Sequence, residues 1–279
     1  MFLLKQVLPA AIIAMTVAAS ICAFALFRGG KRTRIALDPI AGGIAYFVGH
    51  FFVVGWLPFP PTDTTNWLPW FGLVTAILSA YRAGWTMKAW VRPLIFFLVS
   101  AVTLRLLLNP KFQYGWSFTE GYVWVVCLAA AMVLVASILD ALVRRRPAMA
   151  IEVPAFLLII CAGTFGSLML SGSMLLGQFA AVLGAVVFGC LVLTTRRVAL
   201  DRGIVPVFSL LLVTLLLSGY FFAELPAASA ALIAFAPVFA LIPTRMPTFP
   251  GFGVRAALIS VPILVGLVVA FRSSPPLSY

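Results

Sequence analysis

Apolar runs of about twenty residues, each closed by a short polar stretch, recur along the whole chain. A bilayer core of about 30 Å is crossed by about 20 helical residues, so each run is a candidate span. Ten are present, at 7–27, 36–57, 67–81, 93–108, 122–143, 149–170, 173–193, 203–223, 226–243 and 254–271. The third and fourth are short. Between them "RAGWTMKAWVR" sets Trp85 and Trp90 among basic residues, the composition of an interfacial turn. The pattern predicts an all-α, polytopic integral membrane bundle of about ten transmembrane helices.

The charged residues supply an independent check on that count. The first, third, fifth, seventh and ninth connections hold Arg28, Lys31, Arg32, Arg34; Arg82, Lys88, Arg92; Arg144, Arg145, Arg146; Arg196, Arg197, Arg202; and Arg245, Arg255. Only Lys5, Lys111 and Arg272 fall on the other side, and Arg105 lies within a run. A miscounted span would scramble this alternation. By the positive-inside rule the odd connections are cytoplasmic and both termini face outward. The expected location is the cytoplasmic (inner) membrane of a bacterium. Residues 1–27 read as a retained helix, not a cleaved signal, because four basic residues follow the apolar run.

Composition agrees with this and narrows the function. Of the 279 residues, 63% are hydrophobic and 9% charged, against roughly a quarter charged for a soluble surface. The net charge of +12 therefore belongs to the loops. It suits anionic headgroups at the cytoplasmic face or an acidic membrane-protein partner, a second copy included, and not nucleic acid. Cys22, Cys127, Cys161 and Cys190 lie in apolar runs without a CxxC pair, so neither a disulfide framework nor a zinc site is indicated. No GxxxxGK[ST], HExxH or aspartate-rich metal motif occurs, and no cofactor is expected.

The basic stretch 144–148 divides the chain into five-helix halves, 1–143 and 149–271, followed by a short outer tail, 272–279. Such halves would have opposite topology, an arrangement common in secondary transporters. A shift of 135 residues lays the second run on the seventh, with Gly42 on Gly177 and Gly49 on Gly184. At about 100° per residue, Gly42, Gly43, Tyr46, Gly49 and His50 share one arc of the second helix. Gly177, Ala181 and Gly184 form a matching stripe on the seventh, with Gln178 at its edge. Small residues let helices approach closely, so both stripes should face protein. Pro237 and Pro262 fall mid-run, where the missing N–H predicts kinks that free the carbonyls of Ile233 and Leu258.

Most acids have structural explanations. Asp38 before Pro39 reads as an N-cap, Ser117 and Glu120 as a capping box, and Asp201 as a cap. Glu152 suits a helix N-terminus, and Asp140 can pair with Arg144 four residues on. What remains lies toward the outer face: His50, the chain's single histidine, with Tyr46, Arg105, Gln178, Tyr220 and Glu224. These six are the candidate substrate-binding residues, and Gly42, Gly49, Gly177 and Gly184 are assigned to helix packing. A neutral, hydrogen-bonded His50 and a structural Arg105–Glu224 ion pair are the competing readings.

The leading expectation is a secondary transporter or permease for a small molecule. In helix number and length the chain resembles the drug/metabolite transporter superfamily, whose termini are expected in the cytoplasm; the charges here place both outside. A non-catalytic assembly factor or subunit of a larger membrane complex is the alternative, favoured by the lack of a mid-span carboxylate for ion coupling. Catalysis is not expected. The "LSGSM" turn with Ser171 and Ser173 is the only hint of an intramembrane hydrolase, and it lacks a GxSxG elbow.

Overall fold

Lipid supplies no water to satisfy backbone groups, so spanning segments must form helices or closed barrels. The computed structural model describes residues 2–28, 31–56, 59–61, 63–83, 90–144, 151–194, 203–242 and 248–273, and it contains no strand among them. In order the helices are α1 (Phe2–Arg28), α2 (Lys31–Val54), α3 (Leu68–Ala83), α4 (Val91–Leu107), α5 (Asn109–Tyr114) and α6 (Phe118–Arg144). There follow α7 (Glu152–Leu170), α8 (Met174–Thr194), α9 (Ile204–Phe222), α10 (Ala227–Phe235), α11 (Pro237–Ala240) and α12 (Thr248–Ser273). A 3-10 turn, Thr64–Trp67, leads into α3. Each apolar run of the sequence lies on one of these helices, the ninth on the broken pair α10–α11. The turn around Trp85, the basic residues 145–148, the Asp201 cap and the tail beyond Ser273 lie outside the described residues.

Seven helices (α1, α2, α6, α7, α8, α9 and α12) are long and apolar enough to cross a membrane. The chain is thus an all-helical, multi-pass integral membrane protein. With 16 and 17 residues, α3 and α4 reach only about 24 and 26 Å, and Ala227–Ala240 is shorter still.

The bundle is built around α9. This helix packs on α2, α3, α4, α6, α7, α8 and α10, and 83% of its span is buried. At the periphery α1 has 17% of its span buried and α12 28%. Residue size marks the inner face of α1: Ala10, Ala14, Ala18, Cys22 and Ala25 are buried, whereas Leu8, Ile12, Phe24 and Phe27 are exposed. Against that small face, α8 brings Gly189, where a Cβ would lie 2.5 Å from the Met15 carbonyl oxygen. On α2, a Cβ at Gly49 would lie 2.5 Å from Val182 Cγ1 and 2.8 Å from Ala14 Cβ. Gly43 likewise allows α3 close, since a Cβ there would meet Ala76 Cβ at 2.5 Å.

The prolines divide. Pro237 breaks its run: α10 stops at Phe235, and the Ile233 carbonyl accepts from Ala236 N–H at 3.3 Å in place of the absent donor. Pro262 does not end its helix, as α12 continues through it with one ladder bond missing. The Asp38–Pro39 cap is corrected. α2 begins at Lys31, so both residues are interior, and Pro39 removes one ladder bond without ending the helix. Ser117 does cap α6, its Oγ accepting from Glu120 N–H at 3.3 Å.

Two ion pairs occur among the described residues. Arg144 Nε donates to Asp140 Oδ2 at 2.7 Å, an exposed i,i+4 pair. Glu152, the first residue of α7 and 1% exposed, accepts from Arg255 Nη2 of α12 at 3.0 Å. This second pair, 103 residues apart in sequence, ties α7 to α12. Replacing Arg255 by Met should cost about 2 kcal/mol, because a buried carboxylate loses a charge-assisted hydrogen bond. Arg144→Met should cost less than about 1 kcal/mol at a solvated site. Thermal unfolding of the two variants in detergent should show a much larger drop in Tm for the first; equal drops would disprove the difference.

Candidate functional site

A buried polar side chain in a membrane bundle needs a partner, and serine and threonine usually find one in their own helix. Thr164, Ser209 and Thr214 do so, donating to the carbonyls of Ile160, Val205 and Leu210 four residues back at 2.7–2.9 Å. Tyrosine and histidine have no such recourse, because their polar atoms stand too far from their own backbone. Tyr46 and His50 of α2 are both fully buried, and Tyr46 Oη and His50 Nδ1 and Nε2 make no hydrogen bond. Each buried group left unpaired costs about 1–3 kcal/mol.

The surroundings of these two rings come from three elements. Phe179 of α8 stacks on His50 with centroids 3.9 Å apart and planes 16° from parallel. Tyr46, one turn before His50, lies 6.0 Å away in a tilted contact. The 3-10 turn contributes Asn66, buried and facing His50, although neither ring nitrogen reaches hydrogen-bond geometry with it. Gln178, beside Phe179, is also buried. No contact described brings Gln178 to the rings, so the site offers an imidazole, a phenol and the Asn66 amide, with no formal charge. Four residues follow His50 before α2 ends at Val54, so it lies about 6 Å from the helix end. Phe47 and Phe51, on an adjoining face of α2, line an apolar pocket of about 410 Å³ with Val48, Trp56, Phe59 and Trp70.

The other candidates group elsewhere. Arg105 of α4 donates from Nη1 to Asn109 Oδ1 at 2.9 Å, and its guanidinium carbon sits 4.1 Å from the Phe112 ring centroid. Glu224 is exposed in the left-handed region at φ 54°, in the turn that closes α9. The Arg105–Glu224 pair is thus corrected: α5, a short helix that the apolar pattern does not predict, supplies the arginine's partners from nearby sequence. Tyr220 packs on Phe221 and lines an apolar cavity of about 200 Å³ between α6, α9 and α10. It is not brought to His50 by any contact described. Ser171 Oγ donates to the Leu168 carbonyl at 2.9 Å, and Ser173 Oγ accepts from Leu176 N–H at 3.4 Å, the roles of turn and cap.

Among the packing glycines, Gly177 admits Met169 of α7, whose Sδ would lie 2.6 Å from a Cβ there. Gly184 faces Cys161 Cβ at 3.3 Å, where a Cβ would still press on its neighbour, and Gly42 faces Ile204 at 3.4 Å, an ordinary contact that a methyl group would fill. Asn66 is the site residue that sequence reasoning passed over. It precedes α3 in a loop rich in proline and threonine, where an asparagine carries no sign of turning inward. No group of three histidine, cysteine, aspartate or glutamate side chains that could hold a metal forms among the described residues.

Comparison with protein-family models, curated proteins and solved structures found no match. The chemistry of the site has to be judged from its own geometry.

Tyr46→Phe removes only the unpaired oxygen and keeps the ring. It should raise the apparent stability by about 1 kcal/mol. A Tm in detergent that falls instead would show that the hydroxyl has a partner.

Proposed function

We propose that this protein is a secondary transporter or permease for a small molecule, and that Tyr46, His50 and Asn66 belong to its substrate path. The observation that carries this reading is the pair of fully buried rings on α2 whose polar atoms have no protein partner. A packing role alone would be served by Phe at both positions without the cost of burying unpaired groups. A polar ligand passing between α2, α8 and the 3-10 turn would supply the missing bonds. The absence of formal charge at these rings suits a substrate that is neutral where it touches them.

The reading takes α3, α4 and α10–α11 as short crossings, giving ten in all, with both termini outside and the membrane that of a bacterial cell. Support comes from which helix ends meet. Arg92 at the start of α4, Arg144 at the end of α6 and Pro206 near the start of α9 line one pocket. Glu152 and Arg255 pair near the starts of α7 and α12. At the opposite ends, Trp116 before α6 packs on Phe221 of α9, with centroids 5.5 Å apart. Such alternation is what ten crossings would require. In a cysteine-free background, a single cysteine placed at Thr62 should react with an impermeant thiol reagent applied from outside, and one at Thr195 should not. Labelling at 195 from outside would overturn the orientation.

The second reading is a subunit or assembly factor of a larger membrane complex. It is favoured by the absence of a carboxylate at mid-span among the described residues, since ion-coupled carriers commonly keep one there. Uptake into vesicles holding the purified protein, screened with a metabolite panel, separates the two. The carrier reading expects flux of at least one compound, reduced about tenfold or more in His50→Phe with the fold retained. No flux of any compound, together with a stoichiometric co-purifying partner, would favour the subunit.

A further inference from the structure

The starts of α4 and α9 and the end of α6 leave a pocket of about 210 Å³ between them. Its lining divides by depth. Arg92 and Arg144 are exposed and Asp140 half-buried, whereas Phe96 and Val205 are buried and Val133 partly so. Arg92 has no hydrogen-bond or ion-pair partner among the described residues. Arg144 spends Nε and Nη2 on the single oxygen Oδ2 of Asp140, so its Nη1 is still available. Two guanidinium groups face one carboxylate, and the rim carries one positive charge in excess.

Guanidinium forks match the paired oxygens of a phosphate better than those of a point-like anion. A free phosphate would use only the rim, because Phe96, Val133 and Val205 can neither solvate an ion nor be covered by one. Charge outside and hydrocarbon inside together fit an amphiphile. We infer that this pocket binds an anionic phospholipid of the cytoplasmic leaflet, its phosphate on Arg92 and Arg144 and the first carbons of an acyl chain on Phe96, Val133 and Val205. A headgroup without a cation suits the excess positive charge. An ethanolamine ammonium would be opposed by Arg92 and could turn only to Asp140, whose charge Arg144 already shares. The inference stands apart from the carrier reading and holds equally for a subunit. Only the choice of leaflet depends on the positive-inside orientation.

The test is native mass spectrometry of the full chain in detergent, titrated separately with dioleoylphosphatidylglycerol, dioleoylphosphatidylethanolamine and inorganic phosphate. One phosphatidylglycerol should be retained in preference to phosphatidylethanolamine. Arg92→Gln should weaken its retention about fivefold, the effect of about 1 kcal/mol per basic residue. Asp140→Asn should strengthen it, since Arg144 is then released to the phosphate. Opposite shifts from two single substitutions at one rim are not a result that misfolding produces. Retention indifferent to Arg92→Gln would overturn the site. Preference for phosphatidylethanolamine that vanishes in Asp140→Asn would overturn the headgroup. Displacement of the lipid by inorganic phosphate would make this a free-anion site and overturn the lipid.

Discussion

Gly49 has room for a hydrogen and nothing larger between Val182 of α8 and Ala14 of α1. The rest of the bundle depends on contacts of this kind. Within a bilayer, lipid tails are as apolar as leucine, so burying a large side chain against protein gains little over leaving it in lipid. What helices do gain is van der Waals contact and backbone proximity, and both need small residues at the interface. The α1–α2–α8 layer meets that need with Ala10, Ala14 and Ala18 on one side and Gly49 and Gly189 on the others. Bulky Leu8, Ile12, Phe24 and Phe27 are turned outward, the reverse of a soluble protein.

The same physics explains the choice of central helix. α9 is apolar all round and would pass for a lipid-facing span, yet it is enclosed by seven neighbours. Of its three interior hydroxyls, Ser209 and Thr214 return to their own backbone and Ser218 alone is left without a partner, so its surface is almost uniformly apolar. A helix of that kind can be packed from every side without matching polar groups. Most of the other buried polar atoms without a partner, on α2, α3, α4 and α10, are arranged around it.

Polar groups in this protein fall into three environments with different energetics. At the basic ends, charges pair or remain hydrated, as at Asp140–Arg144 and Glu152–Arg255. Toward the opposite ends, Arg105 lies over Phe112 amid Trp116, Tyr122 and Trp124, where an aromatic belt accommodates a cation. In the third environment, His50 and Tyr46 are held in tight packing with no hydrogen-bond partner. Single groups such as the Ser100 and Ser218 hydroxyls also go unpaired, but on α2 three unpaired atoms gather within one turn, which is why the proposed substrate path is drawn there.

Much of this could be read from the order of residues. Runs of apolar residues mark helices because backbone groups in lipid must be satisfied internally, and that requirement is local. The inward turn of His50 was legible from the glycines sharing its arc, and the Ser117 cap from its spacing to Glu120. Other features were not legible. The alanine stripe of α1 is hidden in a uniformly apolar sequence, since size and not polarity sorts its faces. Nothing in the sequence joins Glu152 to Arg255, sets Asn66 against His50, or turns Arg105 toward α5 instead of Glu224. Helix formation is decided within a few residues, so the sequence alone determined it. Which helix sits at the centre and which polar groups stand without partners depend on close fits between distant segments, and those only the tertiary structure decided.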